Sequence, residues 1–515
     1  MRDYHVLMVF CVLMLTACAA DTTAMNEGES TADHAPLIYS SPQSHVLSAL
    51  TLNPGGGVYN YPADLIPHGG FMEGDESNPG PWDGFYAVSW ISELPWPAIH
   101  IRIVAGMNNP LGMPQGTVYN GADIQVSSGI GGMAATEVRP MDGEGTNVLF
   151  SYVDPSTDTV HVIEVSRFGS ISSPVTVYSS GFGGSVSDIA PTLESGVLDD
   201  EERILLAFNG VSGFVTNIRY GFLERSGSSW AFSTKGLLNP SSDPSLPCGR
   251  WQGPNFITAS PQLFYNIDSV FSHTDSEWSL TWICNGDPAI NNPDWTVEIQ
   301  RLDWDGTTLH PNPYPVVSHP FDPLHSGVML SYNDETGIWL LQVQHNLRQL
   351  ERSGSSWTCL DIAGNPVGFS DCSANAISDL MPNSSSGRLA ASGSGITFAS
   401  EVFYSDTGST EFRVAGQCSN TGGMMTCGTA NHQDGVSFER RIPGATPSGF
   451  EPEVPSRVWD SAALGPYGVM WRVIRGPADE TALFLHMVPE DPSSSDKAFV
   501  AATFGSESPS FPYYR

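Results

Sequence analysis

A chain of 515 residues with a net charge of −34 and lysine only at Lys235 and Lys497 repels phosphate backbones, which excludes nucleic acid as a partner. The 52 glycines, the 39 prolines and the lack of long apolar runs at helical spacing argue against a helical fold. At this length one globular unit has to be a barrel, a propeller or a set of packed sandwiches.

The first residues read as a targeting segment. Arg2 precedes a short apolar run, Val6 to Leu15, and then comes Leu15-Thr16-Ala17-Cys18. This resembles the lipobox of bacterial lipoproteins, in which the cysteine is lipidated and becomes the mature N-terminus. The resemblance implies a signal peptide over 1–17, lipidation of Cys18 and attachment to the cell envelope. Ala19, where an inner-membrane retention signal would carry aspartate, points to the outer membrane. Residues 18–44 are small, polar and acidic, the composition of a flexible tether, and residues 45–515 form the folded domain.

Along that domain seven pairs of hydrophobic strands recur, beginning near Phe85, Val148, Ile204, Trp278, Val328, Ile396 and Val469. Alternating strands broken by turn residues mean an all-β chain. A polar turn containing glycine follows several pairs. Its sharpest form, Leu223-Glu224-Arg225-Ser226-Gly227-Ser228-Ser229-Trp230, returns unchanged as Leu350 to Trp357. Looser copies run from Leu302 to Leu309 and from Val165 to Ser172. Glycine supplies the positive φ that a tight hairpin needs. Sheets repeated around an axis predict a β-propeller, with seven blades ahead of six or eight.

A second pattern, an acid followed shortly by proline, is read as the start of the innermost strand of a unit. It occurs at Asp64, Glu137 (with Arg139), Asp188, Asp322, Asp379 and Glu453. Acids recurring at strand starts are expected to converge on one mouth of a central channel. There they either bind a ligand, with calcium as the candidate ion, or accept backbone N–H groups from the neighbouring blade. No cofactor signature is present. Asp303-Trp304-Asp305-Gly306 begins like a calcium loop, but the later ligands are missing and it reads as a hairpin turn.

Acid-proline, strand pair and glycine-tryptophan turn together resemble the blades of the sialidase-like, Asp-box propeller superfamily. Gly227 with Trp230 and Gly354 with Trp357 match the box, whereas Arg225 and Arg352 stand at its aspartate position. The family's arginine cluster has no counterpart near the start of the chain; Arg441-Ile442-Pro443 lies near its end. The resemblance implies a propeller that binds glycans or cell-surface proteins through one face, or a glycoside hydrolase or polysaccharide lyase using channel carboxylates. Six cysteines of the exported part, Cys248, Cys284, Cys359, Cys372, Cys418 and Cys427, are expected to pair with neighbours and staple the domain. The short polar turn between Cys418 and Cys427 would bring two strands face to face.

Overall fold

Strand-forming sequence in this chain comes in blocks of β-branched and aromatic residues, such as Asn147-Val-Leu-Phe-Ser-Tyr-Val-Asp154, too short for helices and separated by glycine, proline and acid. In the computed structural model these blocks form 31 strands among the described residues. The structure describes those strands and, between them, residues 67, 73–74, 84, 106, 109–117, 126, 139–141, 145–146, 156–158, 166–174, 180, 227, 273–276 and 304–310. The expected signal peptide and most of the tether lie outside the described residues. Ser44, expected in the tether, instead begins the strand Ser44–Val46.

Among the described residues the strands group into seven antiparallel sheets. The first comprises His68–Met72, Phe85–Ser92, Ala98–Ala105 and Val118–Gln125. The second comprises Gly132–Val138, Asn147–Asp154, Thr159–Val165 and Val175–Ser179. The third comprises Thr192–Leu198, Glu201–Ser212, Val215–Ser226 and Ser229–Leu238. Tyr265–Ser272, Glu277–Cys284, Trp295–Asp303 and Tyr314–His319 make the fourth. Val328–Asn333, Ile338–Val343, Asn346–Ser353, Ser356–Leu360 and Pro366–Val367 make the fifth. The sixth is built on Ala399–Tyr404, Thr410–Thr421, Gly435–Pro443 and Phe450–Pro452. The seventh is Tyr467–Arg475, Glu480–Pro489, Phe499–Ser506 and, from the other end of the chain, Ser44–Val46. The fold is thus all-β, built of antiparallel sheets, five of the seven four-stranded, of the propeller-blade kind.

Each of the seven expected strand pairs falls within one sheet, the sixth from Ala399 onward, because residues 396–398 lie outside the described residues. In the first four sheets the pair is the second and third strands; in the last three it is the first and second. Alternation marks a strand as half-buried but does not say which strand is innermost.

The first strand of every sheet lies beside the first strand of the next, and that of the seventh lies beside that of the first. Among the described residues, apolar side chains fill the spaces between the first four sheets and between the seventh and the first. Phe85, Ile101 and Ile103 of the first sheet pack on Val148, Phe150 and Ile163 of the second. Leu149, Val160 and Val162 of the second pack on Leu206, Phe208 and Trp230 of the third. Tyr86 and Trp90 of the first pack on Ile474 and Phe484 of the seventh. Full burial of such side chains contributes roughly 1.5–3 kcal/mol each.

The glycine turns join third to fourth strands, as expected from the repeat. Gly169, Gly227 and Gly306 have φ of 80°, 62° and 80°, a region closed to most L-residues. In the Asp303 turn the Gly306 N–H donates to the Asp303 carbonyl at 2.9 Å, and the Asp303 carboxylate accepts the Thr307 N–H at 2.7 Å. It is a hairpin turn.

Candidate functional site

Antiparallel alternation sorts the connections. Loops between first and second strands and turns between third and fourth lie at one end of each sheet; the remaining connections lie at the other. At the turn end, two clefts meet.

The larger, about 510 Å³, is lined by Glu73, Glu137, Arg139, Gly145, Thr146, Ser195 and Glu202. Its neighbour, about 410 Å³, is lined by Glu201, Glu202, Arg203, Glu224, Arg225, Trp230, Lys235 and Asp305. Glu202 lines both. It sits at the start of the second strand of the third sheet, and its carboxylate accepts the backbone N–H of Arg139 from the second sheet. Burial holds the Glu202 carboxyl above the usual range. The Arg139 N–H and the charges of Arg225 and Arg139 oppose that rise, and the Glu164 carboxylate adds to it.

Arg225, from the repeated octapeptide, ties the second cleft together. Its Nη1 lies 2.9 Å and 3.0 Å from the two Glu164 oxygens. Its Nη2 donates to the Arg139 carbonyl at 2.8 Å. The guanidinium stands over the Trp230 ring, 4.2 Å from its centroid, and Trp230 Nε1 donates to Glu164 at 3.0 Å. Asn147 Nδ2 donates to the same carboxylate at 2.6 Å. The second copy acts likewise: Arg352 donates to Asp275 at 2.7 Å and to Glu277 at 2.5 Å, both on the fourth sheet. In the fourth sheet's own turn the polarity is reversed, with Asp305 receiving Arg203 of the third sheet at 2.8 Å. The repeat is therefore a clasp between consecutive sheets.

Of the residues expected at a channel mouth, Glu137 and Arg139 are described; Asp64, Asp188, Asp322, Asp379 and Glu453 lie outside the described residues. Glu137 corrects the expectation about position. It is the sixth residue of Gly132–Val138, at the end of an innermost strand rather than before its start. Proline explains the ambiguity: lacking an N–H, it marks a strand's exit, as Pro140 does here, as readily as its beginning, as Pro67 does. The Glu137 carboxylate accepts the Phe71 N–H of the first sheet at 2.7 Å, which is the capping role. Asp268 does the same for the Leu330 N–H of the fifth sheet, also at 2.7 Å. Glu202, Glu73 and Glu164 carry no motif that singles them out in the sequence. For Glu202 the sequence signal is the acidic run Asp199-Asp200-Glu201-Glu202.

No group of three or more His, Cys, Asp or Glu among the described residues is arranged to hold a metal ion. Cys359 is disulfide-bonded, and Cys418 stands directly opposite Cys427 in the strand register. Cys284 ends its strand opposite Thr296. Cys18, Cys248 and Cys372 lie outside the described residues.

Towards the other end of the sheets a cross-strand pair recurs, an aromatic on the second strand opposite a titratable residue on the third. It is Trp90 with His100, Tyr152 with His161, Phe208 with Arg219 and Trp282 with Glu298. Tyr152 and His161 stack at 4.9 Å, and Thr159 and Thr176 hydroxyls lie against the two imidazole nitrogens at 2.7 Å and 3.1 Å. Burial lowers the His161 pKa, against the pull of Asp154, and raises that of Tyr152. Glu298 is fully buried, and burial pushes its carboxyl up to about 8.

No known family profile matches this chain, and no curated protein matches it. Solved structures do resemble it. An ulvan lyase of a polysaccharide lyase family is 10% identical, with a TM-score of 0.48 over 87% of this chain and 96% of that one. A point mutant of NanB sialidase from Streptococcus pneumoniae is 10% identical, with a TM-score of 0.43 over 89% of this chain and 71% of that one. The six-bladed fucose-recognising lectin of Aleuria aurantia is 10% identical, with a TM-score of 0.38 over 78% and 97%. Similarity of this degree assigns no activity to the chain.

Proposed function

We propose that the protein is a seven-bladed, sialidase-like β-propeller, held on the cell envelope, at the outer membrane, by a lipid on Cys18, which binds glycans in the paired clefts. Seven sheets, neighbouring first strands and a last sheet completed by Ser44–Val46 support the architecture. Pairings Cys248–Cys284, Cys359–Cys372 and Cys418–Cys427 belong to the same reading. Non-reducing peptide mapping tests them, and free thiols or distant links would remove them.

The observation that carries the binding function is the meeting of the two clefts at Glu202. Glu73, Glu137, Glu201 and Glu224 bring hydrogen-bond acceptors to them, and Arg139, Arg203 and Lys235 bring donors. Sugar hydroxyls need both partners, and an open polar groove admits a chain. A glycan array probed with the full-length protein in detergent tests this reading. Binding should fall at least tenfold in Glu202→Gln. Absence of any glycan binding, or equal binding by the variant, refutes it.

A second reading is favoured by the raised Glu202 carboxyl, which shares its cleft with Glu137. A carboxyl whose pKa is raised, sharing a cleft with a second carboxyl, is the kind of pair that acid-base cleavage of glycans uses. Polysaccharide digestion that disappears in Glu202→Gln while binding persists would establish it; digestion unaffected by that change, or no digestion, removes it.

A further inference from the structure

An arginine stands two residues before the turn glycine in three of the turns: Arg167 before Gly169, Arg225 before Gly227 and Arg352 before Gly354. Two of the three show what this position binds. Arg225 crosses to the preceding sheet and takes the Glu164 carboxylate, and Arg352 crosses and takes those of Asp275 and Glu277. Arg167 is different. It is fully buried, and its Nε and Nη1 have no hydrogen-bond acceptor. The Phe168 ring lies 5.0 Å from its guanidinium carbon. The facing row of the first sheet, Ile99, Ile101, Ile103 and Ala105, is apolar, whereas the row of the second sheet that faces the third ends in Glu164 after Val160 and Val162.

A guanidinium buried without a counter-charge is costly, and carboxylate is the group whose geometry matches it. The Arg167 guanidinium lies against Gly145, one of the residues that line the larger cleft. Gly145, which lines that cleft, has φ of +99°, and a Cβ placed on it would stand 2.8 Å from Arg167 Nη1 and 2.7 Å from the Glu73 carbonyl oxygen. Gly145, which has no side chain, stands beside both the cation and the cleft.

We infer that the larger cleft takes a carboxylate-bearing sugar, an uronic acid residue, whose carboxylate is received over Gly145 by Arg167. The ligand supplies to Arg167 what Glu164 supplies to Arg225 within the chain. Glu73, Glu137 and Glu202 around the cleft accept hydroxyl hydrogens from the rest of the ring, and their charge disfavours groups carrying more than one negative charge. This inference rests on the glycan reading and narrows it to a substrate class.

Calorimetric titration of the full-length protein in detergent tests it with four oligosaccharides of equal length. They are an oligouronate, its methyl ester, a neutral hexose oligomer and the same oligomer carrying one sulfate ester per residue. The oligouronate should bind at least tenfold tighter than its methyl ester and the neutral oligomer. Arg167→Gln should remove that preference while leaving the neutral oligomer's affinity unchanged, and Arg167→Lys should retain part of it. Equal affinity for the oligouronate and its methyl ester, measured on the wild-type chain, overturns the inference whether or not the Arg167 variants fold. So does sulfate binding as tight as uronate binding, or a preference that survives in Arg167→Gln. Neutral binding without an acid preference sinks this inference and leaves the glycan reading standing; no binding by any of the four sinks both.

Discussion

Replacing Glu298 by glutamine should make this protein more stable in alkali and change it little in acid. Glu298 lies in the third strand of the fourth sheet, opposite Trp282, with no measurable exposure. Burial raises its carboxyl from 4.5 to about 8, and a hydrogen bond from Trp282 offsets only part of that rise. Because the folded-state pKa is the higher one, the folded chain holds a proton that the unfolded chain releases above pH 4.5. Stability is therefore unaffected below that pH, declines as pH rises from 4.5 to about 8, and is flat beyond. At about 1.4 kcal/mol per pH unit, the loss is about 3 kcal/mol by pH 7 and about 5 kcal/mol above pH 8. Glutamine keeps the shape and removes the ionisation. Urea unfolding at pH 5, 7 and 8.5 measures the difference, since the midpoint follows stability while the slope follows exposed surface. The variant should match the wild type within about 1 kcal/mol at pH 5 and exceed it by several at pH 8.5. Wild-type and variant midpoints that run parallel across this range would refute the reasoning.

Three other outcomes follow from the same structure. Arg225→Met should destabilise the protein by about 2–3 kcal/mol, because it leaves the largely buried Glu164 carboxylate without its cation. Urea unfolding of the double variant with Glu164→Gln should then show a smaller loss than the two single changes together. Gly227→Ala, where a Cβ meets nothing within 4 Å, should cost only the positive-φ penalty of about 1 kcal/mol. Gly221→Ala, within the strand Val215–Ser226, whose Cβ would fall 2.2 Å from the Ser233 carbonyl oxygen, should cost about 3 kcal/mol or more; the reverse order in urea melts would contradict the placement of these two glycines. Cys18→Ser should leave the chain uncleaved or soluble in the envelope, and fractionation that finds it processed and membrane-bound as before would remove the lipid anchor.

Local chemistry is what the sequence by itself determined. A glycine at positive φ, a proline at a strand boundary and a run of alternating valines and isoleucines depend on neighbours a few residues away. The seven strand pairs and the turns at Gly169, Gly227 and Gly306 are accordingly legible without a structure. Direction and partnership are not. The acid-proline pattern looks alike at both ends of a strand, so Glu137 reads as a strand start when it stands at an end. The candidate site joins Arg139 to Glu202 across 63 residues, Arg225 to Glu164 across 61, and Arg225 to the Arg139 carbonyl across 86. Separations of that size leave no periodicity in the chain. They are set by which sheets become neighbours, and that is decided by packing between apolar faces that many registers of the same alternating pattern would satisfy equally well. The same holds for Arg167 and Arg225: one turn position, one residue type, and two different fates. The third strand of the sheet in front of Arg225 offers Glu164, whereas the corresponding row in front of Arg167 carries isoleucine and alanine.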